Sequence, residues 1–379
     1  MEVYLDNSAT TCLCSHAVEK MTFIMNNVYG NPSSLHSKGM EAENEIKFAR
    51  KIIAELLGVN NGEVYFTSGG TEANNLAVFG AAHAKNKLGN KIVTTAVEHS
   101  SVYESCKALE TEGFEVVYLK PDLYGNITEI QLREAIDDKT ILVSVMFVNN
   151  ETGAVLPVDK ISKIIEKKKS PALFHCDAVQ AFGKIPVKPR KINCDLLTVT
   201  AHKIHGPKGV GALYIKEKTN IKPILHGGEQ QKKIRPGTEP VILIGGFGAA
   251  AADMGNISQN YKKVSELHDY AIKTLTGIEG IVLNSSEQNF PYIINLSALG
   301  IKSETMLHSL EDKGIYLSSG SACAKGKKSH VLTAMGLPTE RIDSALRISF
   351  SKNSSKEEVD LLSQALCEGL NTLVRKARK

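Results

Sequence analysis

The sequence predicts an α/β protein. A large domain, built on a mainly parallel seven-stranded sheet between helices, is joined to a smaller α+β domain. Two observations carry this. Between about residues 50 and 215, short apolar, β-branched segments alternate with segments of helical period, the pattern of parallel strands covered on both faces. Beyond about residue 258, strand-like segments instead alternate apolar with polar and a long amphipathic segment closes the chain, as in an α+β unit. At 379 residues the chain is long enough for both.

Taken in order, Val3-Tyr4-Leu5 and Glu63 to Phe66 are strand-like, and a helix is predicted from Thr71 to Lys85. Lys91 to Thr95, Glu115 to Leu119, Thr140 to Val145, Ala172 to Cys176 and Leu196 to Val199 are the continuous apolar strands. A helical stretch, Asp159 to Lys169, falls among them. Gly209 to Ile215 follows too closely for a crossover, so an antiparallel addition is expected. Gly245, Gly246 and Gly248 precede one long helical pattern, Ala249 to Leu275. Tyr292 to Leu296 and Arg347 to Phe350 read as strands with one solvated face. Ser355-Lys356-Glu357-Glu358 is a capping box for a last helix through Val359, Leu362, Leu366 and Leu370. The large domain is placed at 16–257. The first fifteen residues can join either body and are assigned, with 258–379, to the smaller one.

Composition narrows the function. Hydrophobic residues at 42% and charged residues at 23% are ordinary for a globular enzyme. A net charge of +4 calls for no direct nucleic-acid partner. No apolar run reaches the roughly eighteen residues of a membrane span, and Met1 leads directly into a strand without an export signal. Seven cysteines without regular spacing point to a reducing cytoplasm. Cys12-Leu13-Cys14 near His16 is poorly spaced for zinc, and no metal site is expected.

Two segments are rich in chemistry. Cys323 lies between Gly320 and Gly326 beside Lys325, Lys327 and Lys328, a setting that exposes a thiol and favours its thiolate. Roughly Ser321 to Ser329 is expected to lack fixed order without a partner. Lys203, in Thr200-Ala201-His202-Lys203, follows a buried strand. A Schiff-base lysine and a mobile thiol together point to covalent chemistry on an amino acid. Gly69-Gly70-Thr71, between a strand and a helix, can bring backbone N–H groups to an anion or simply make a capped turn. Asp177, with Gln180 one turn later, ends a strand and can face a ligand crevice or cap a helix. His99 and Asn150 also follow strands and taken singly are equally open.

Their joint order resembles the cysteine desulfurases of the NifS/IscS type, in the class V aminotransferase group of fold-type I pyridoxal-phosphate enzymes. The resemblance runs nearly end to end, from Tyr4-Leu5-Asp6-Asn7-Ser8-Ala9-Thr10-Thr11 through Gly30-Asn31-Pro32-Ser33-Ser34 to Ser344-Ala345-Leu346-Arg347-Ile348-Ser349. It implies pyridoxal 5'-phosphate bound covalently by Lys203, with Gly70, Thr71, Thr200 and His202 on its phosphate. Asp177 would face the pyridine nitrogen, and Gln180 and Asn150 the phenolic oxygen. His99 would stack on the ring and move protons. Arg347, with Asn31, would hold the substrate carboxylate. Thr238 would reach the phosphate of a second subunit, which implies a homodimer.

The implied activity converts L-cysteine to L-alanine and leaves a persulfide on Cys323 for a protein sulfur acceptor, either an iron–sulfur scaffold or a protein of tRNA thiolation or thiamine synthesis. Selenocysteine lyase or aminotransferase activity is the alternative within the fold. A non-catalytic scaffold is the alternative outside enzymology. The family usually reads Gly-Gly-Gly-Gln-Glu-Arg-Gly where this chain has Gly227-Gly228-Glu229-Gln230-Gln231-Lys232-Lys233, and its loop after Cys323 is shorter.

Overall fold

The computed structural model describes residues 2–319 and 328–377. Cys323 and the neighbours expected to lack order therefore lie outside the described residues, apart from Lys328 and Ser329. The first elements are β1 Val3–Tyr4, α1 Ser15–Asn27, α2 Ser37–Leu57, β2 Val64–Thr67, α3 Gly70–Lys85, β3 Lys91–Thr95 and α4 Ser100–Thr111. There follow β4 Glu115–Leu119, α5 Glu129–Ala135, β5 Thr140–Met146, α6 Val158–Lys167, β6 Leu173–Asp177, α7 Pro189–Ile192, β7 Leu196–Thr200 and β8 Gly211–Ile215. Helices α8 Val241–Ala252 and α9 Ile257–Thr276 lead to β9 Ile281–Leu283, β10 Ile293–Ala298, α10 Ser303–Glu311 and β11 Ile315–Tyr316. The chain closes with α11 His330–Ala334, α12 Thr339–Asp343, β12 Ala345–Ser349 and α13 Lys356–Ala377.

The large sheet has the order β2-β8-β7-β6-β5-β3-β4. Its β3, β4, β5, β6 and β7 pair in parallel, and β8 is antiparallel to both β7 and β2, as expected. Every residue of β5, β6, β7 and β8 is buried. Along β7 and β8, Leu196 and Leu213 face one apolar cluster with α3 and α4. Leu197, Val199, Ala212 and Tyr214 face a second with α2, α6 and α8. Successive side chains point to opposite faces, so helices cover the sheet on both.

Two expectations are corrected. The glycines before residue 249 lie inside α8, which ends at Ala252; Gly255, at φ +66°, breaks the path and Asn256 caps α9. A Cβ on Gly248 would sit 2.7 Å from Ala49, and one on Gly245 2.2 Å from the Ile24 side chain. Bare backbone lets α8 lie against α1 and α2, and adding even a methyl at such contacts costs about 1–3 kcal/mol.

Second, β10 and β12 have no solvated face; every residue in both is buried. They pair antiparallel with each other, and β9 flanks β10. Their polar residues bond within the protein. Asn295 Nδ2 donates to Glu151 O (3.1 Å), Ser297 Oγ to Arg341 O (2.7 Å), and Ser349 Oγ accepts from Ser8 N (2.8 Å). The capping box at Ser355 forms as predicted, with Ser355 N donating to Glu358 Oε2 at 2.9 Å. β1 pairs in parallel with β11, and isolated bridges join Asp6 to Ser349 and Ser318 to Arg347.

Candidate active site

The carboxyl ends of parallel strands are where an open α/β sheet places ligands. Here Asp177 ends β6, Thr200 ends β7 with His202 and Lys203 in the next turn, and His99 and Asn150 follow β3 and β5. Gly70 and Thr71 open α3 after β2. A cavity of about 230 Å³ is lined by all of these, by Gln180, by Ser8 and Ala9, and by Arg347 of β12. Ten of the residues singled out from the sequence thus converge on one cavity. Asn31 and Thr238 do not line it and are exposed. Cys323 lies outside the described residues.

Asp177 is held by two donors. Asn74 Nδ2 donates to Oδ2 (2.7 Å) and Val179 N to Oδ1 (3.0 Å). Asn74 Nδ2 also donates to Ser101 Oγ (2.8 Å), which contacts His99 Nδ1 at 2.8 Å. The Ser101 backbone N–H, which can only donate, meets the same Nδ1 at 3.2 Å. Nδ1 is therefore an acceptor, and the neutral ring carries its proton on Nε2. Burial, then Lys203 and His330, hold the His99 pKa below its usual value against the opposing pull of Asp177. His202 is pushed down to about 3 by burial and by Lys203, and is neutral as well.

Lys203 Nζ donates to Ser8 O (2.5 Å) and Ala9 O (2.6 Å), so the N-terminal segment forms one wall. Arg347 is 1% exposed. Its Nη2 meets Asp6 Oδ1 at 2.8 Å and its Nη1 meets Asn150 O at 3.1 Å. Thr200 Oγ1 donates to Val210 O at 3.1 Å. Beneath the cavity floor His175, bonded to Ser144 and Thr198, is pushed to about 4 by burial, and Glu98 is raised to about 8 by burial. Glu151, fully buried, is also raised by burial; its Oε2 accepts from Ser329 Oγ at 2.5 Å.

Sequence reasoning missed Ser8, Asn74 and Ser101. Asn74 lies one turn after Gly70 on the buried face of α3, beside apolar Ala73, Leu76, Ala77 and Val78, and only that burial distinguishes it from the polar residues of the same helix.

The site fits pyridoxal phosphate. No side chain caps the start of α3, and Gly69, at φ +154°, gives that turn a conformation that glycine favours. First-turn N–H groups are thereby left for an anion such as a phosphate. Gly211 lies so close that a Cβ there would come 2.8 Å from the Gly69 carbonyl carbon. Three lining residues also carry buried polar atoms without a partner among the described residues: Ser8 Oγ, Asn74 Oδ1 and Arg347 Nε. A polar ligand would satisfy such atoms.

A sheet of this topology, with a lysine, an aspartate and an open helix start at its carboxyl edge, defines a fold-type I cofactor site. The class-V aminotransferase family model matches residues 3–362, and the chain belongs to that family. A cysteine desulfurase IscS of Methanosarcina thermophila is 42% identical over 370 residues, covering 97% of this chain and 91% of that protein. A solved NifS-like protein superposes with a TM-score of 0.92 at 36% identity, covering 98% of this chain and all of the other. A structure described as SspA in complex with cysteine superposes at 0.81 with 32% identity, covering 94% of this chain and all of that one.

Proposed function

We infer that the chain is a pyridoxal-phosphate-dependent cysteine desulfurase, converting L-cysteine to L-alanine and passing the sulfur to Cys323. The observation that carries this is the single cavity in which Lys203, Asp177, His99 and Arg347 converge, in a chain related over nearly its whole length to cysteine desulfurases. When bound, the cofactor supplies an electrophilic carbon for the substrate amine and a sink for the Cα–H electrons.

The chain's own residues do the rest. The open start of α3 and His202 hold the phosphate, and Asp177 meets the pyridine nitrogen. Asn150 and Gln180 face the phenolic oxygen. Arg347 orients the substrate carboxylate, its Asp6 partner fixing the guanidinium plane. Lys203 takes the α-proton, and His99 offers a proton from Nε2 toward the cavity. The Cys323 thiolate attacks the substrate sulfur. An S–S bond forms, the Cβ–S bond breaks, its electron pair takes up a proton on Cβ, and Lys203 returns a proton to Cα to leave alanine.

The enzyme acts as a cytoplasmic homodimer that hands persulfide sulfur to an acceptor protein. Exposed Phe23, Met25, Tyr29, Leu35, Met40 and Phe48, on or between α1 and α2, support a subunit interface. Arg235, three residues before exposed Thr238, is anchored on Glu72 of α3 at 2.7 Å, and Thr238 would reach the phosphate of the second subunit. A division near residue 257 puts Asp177 and Lys203 on one body and Arg347 on the other.

The test supplies L-cysteine and pyridoxal phosphate to purified protein without a 2-oxo acid. Alanine and reducible sulfur should appear in equal amounts. Amino transfer that depends on a 2-oxo acid would overturn the reading.

A further inference from the structure

We propose that Lys184 is a positioning residue for this reaction: its side-chain nitrogen pins the amide of Gln180 so that Gln180 presents N–H, not C=O, to the cofactor's phenolic oxygen. The proposal rests on the desulfurase reading and concerns a residue that reading leaves unused. Lys184 is 6% exposed. Among the described residues no carboxylate pairs with it; its contacts are Gln180 Oε1 at 3.2 Å and the Tyr292 ring, whose centroid is 5.5 Å away. Lysine is almost never buried unless paired, because the interior disfavours its charge.

The turn that carries it is tightly constrained. Gly183 has φ +77°, and a Cβ there would come 2.4 Å from Met254 Sδ and 2.6 Å from Ile204 Cγ2. Glycine alone fits, and the turn directs Lys184 inward. Lys184 Nζ donates to Gln180 Oε1, an orientation consistent with the other end of the amide, where Ser8 O can only accept. Gln180 Nε2 then donates to Ser8 O at 3.0 Å. An amide nitrogen has two hydrogens, so one remains for the cavity that Gln180 lines. Without Lys184, Oε1 would lose its donor and the amide could turn its oxygen toward the cavity.

Lys203 and Arg347 face Lys184 with like charge, and His202 and His205 are also within its field. Burial, then those two charges, push the lysine down to about 7. Tyr292 is itself raised by burial and stays neutral. Lys184 therefore cannot be replaced by a neutral residue without some change of local charge, and the test has to separate charge from pinning.

The visible band of the bound cofactor is titrated in wild type, K184M, Q180L and the double variant, alongside cofactor affinity and melting temperature. A phenolate that loses an N–H donor becomes more basic, so K184M should raise the pH midpoint by about half to one unit. Action through Gln180 requires the double variant to match Q180L alone. K184Q, a neutral side chain that still donates, should stay nearer wild type than K184M, and K184A takes the place of K184M in the cycle if K184M does not fold. An unmoved midpoint in K184M, or additive shifts in the double variant, overturns the proposal. A wild-type protein with no cofactor band overturns the functional reading instead.

Discussion

Replacing Asp177 with asparagine removes a charge while nearly keeping the shape, and the surrounding hydrogen bonds fix the consequences. Both carboxylate oxygens accept, one from Asn74 Nδ2 and one from the Val179 backbone. Asparagine has a single acceptor. The backbone N–H is fixed and claims it, so the new NH₂ confronts the NH₂ of Asn74. Asn74 can turn its unpartnered Oδ1 to meet it, at the expense of its bond to Ser101 Oγ. One charge-assisted bond becomes a neutral one and another is lost, which costs about 1–2 kcal/mol of stability. The variant should therefore fold and keep some cofactor. Its turnover should fall about a hundredfold, or about 2.7 kcal/mol of barrier, because nothing would hold the pyridine nitrogen protonated. The assay measures alanine at saturating cysteine and cofactor, with cofactor content read by absorbance and melting recorded in parallel. Near-normal turnover at full cofactor content would show that Asp177 is only a structural cap.

Arg347→Lys should raise KM for cysteine about ten- to hundredfold at unchanged cofactor content, since an ammonium cannot form the bidentate fork; an unchanged KM would remove Arg347 from substrate binding. His175, at about 4 in the fold against about 6.5 when unfolded, binds fewer protons folded than unfolded between those values. Its contribution of about 3 kcal/mol is full above pH 6.5 and lost as pH falls toward 4. His175→Gln should flatten that acid limb in denaturant titrations, and an unaltered slope contradicts the burial argument. Lys233 is exposed at φ +67°, and among the described residues its side chain meets the Glu229 carboxylate alone, at 3.0 Å. Lys233→Gly should stabilise the fold by about 0.5–1 kcal/mol, net of glycine's entropy cost, and a lower melting temperature would refute the strain.

The parallel strands were legible because burial on both faces leaves no polar alternation to confuse the reading. Leu196 to Thr200 is buried throughout, and its end locates Lys203 directly. The polar strands misled for the opposite reason. Asn295, Ser297, Arg347 and Ser349 look like a solvated face, yet their partners lie on segments remote in sequence, at Glu151, Arg341, Asn150 with Asp6, and Ser8. Such pairings are not local. Asn74 and Lys184 were passed over likewise, since a polar side chain in a helix or turn reads as surface until its burial is known. The departure at 227–233 became intelligible only in the fold. Gln231, Lys232 and Lys233 all adopt positive φ, and Gln231 Oε1 is held by Phe66 N at 2.9 Å and Arg50 at 3.1 Å. The loop thus keeps a left-handed path there even though Gln231, Lys232 and Lys233 are not glycines.

Desulfuration by this chain depends on sulfur passing from the substrate to Cys323. The most direct measurement is intact-protein and peptide mass spectrometry after one turnover with L-cysteine, with alanine quantified in the same sample. One added sulfur atom is expected on the Cys323 peptide, removed by reductant, with one alanine per modified subunit, and neither product in Lys203→Ala. Alanine formed by Lys203→Ala, or sulfur found on another cysteine while Cys323 stays unmodified, would contradict it.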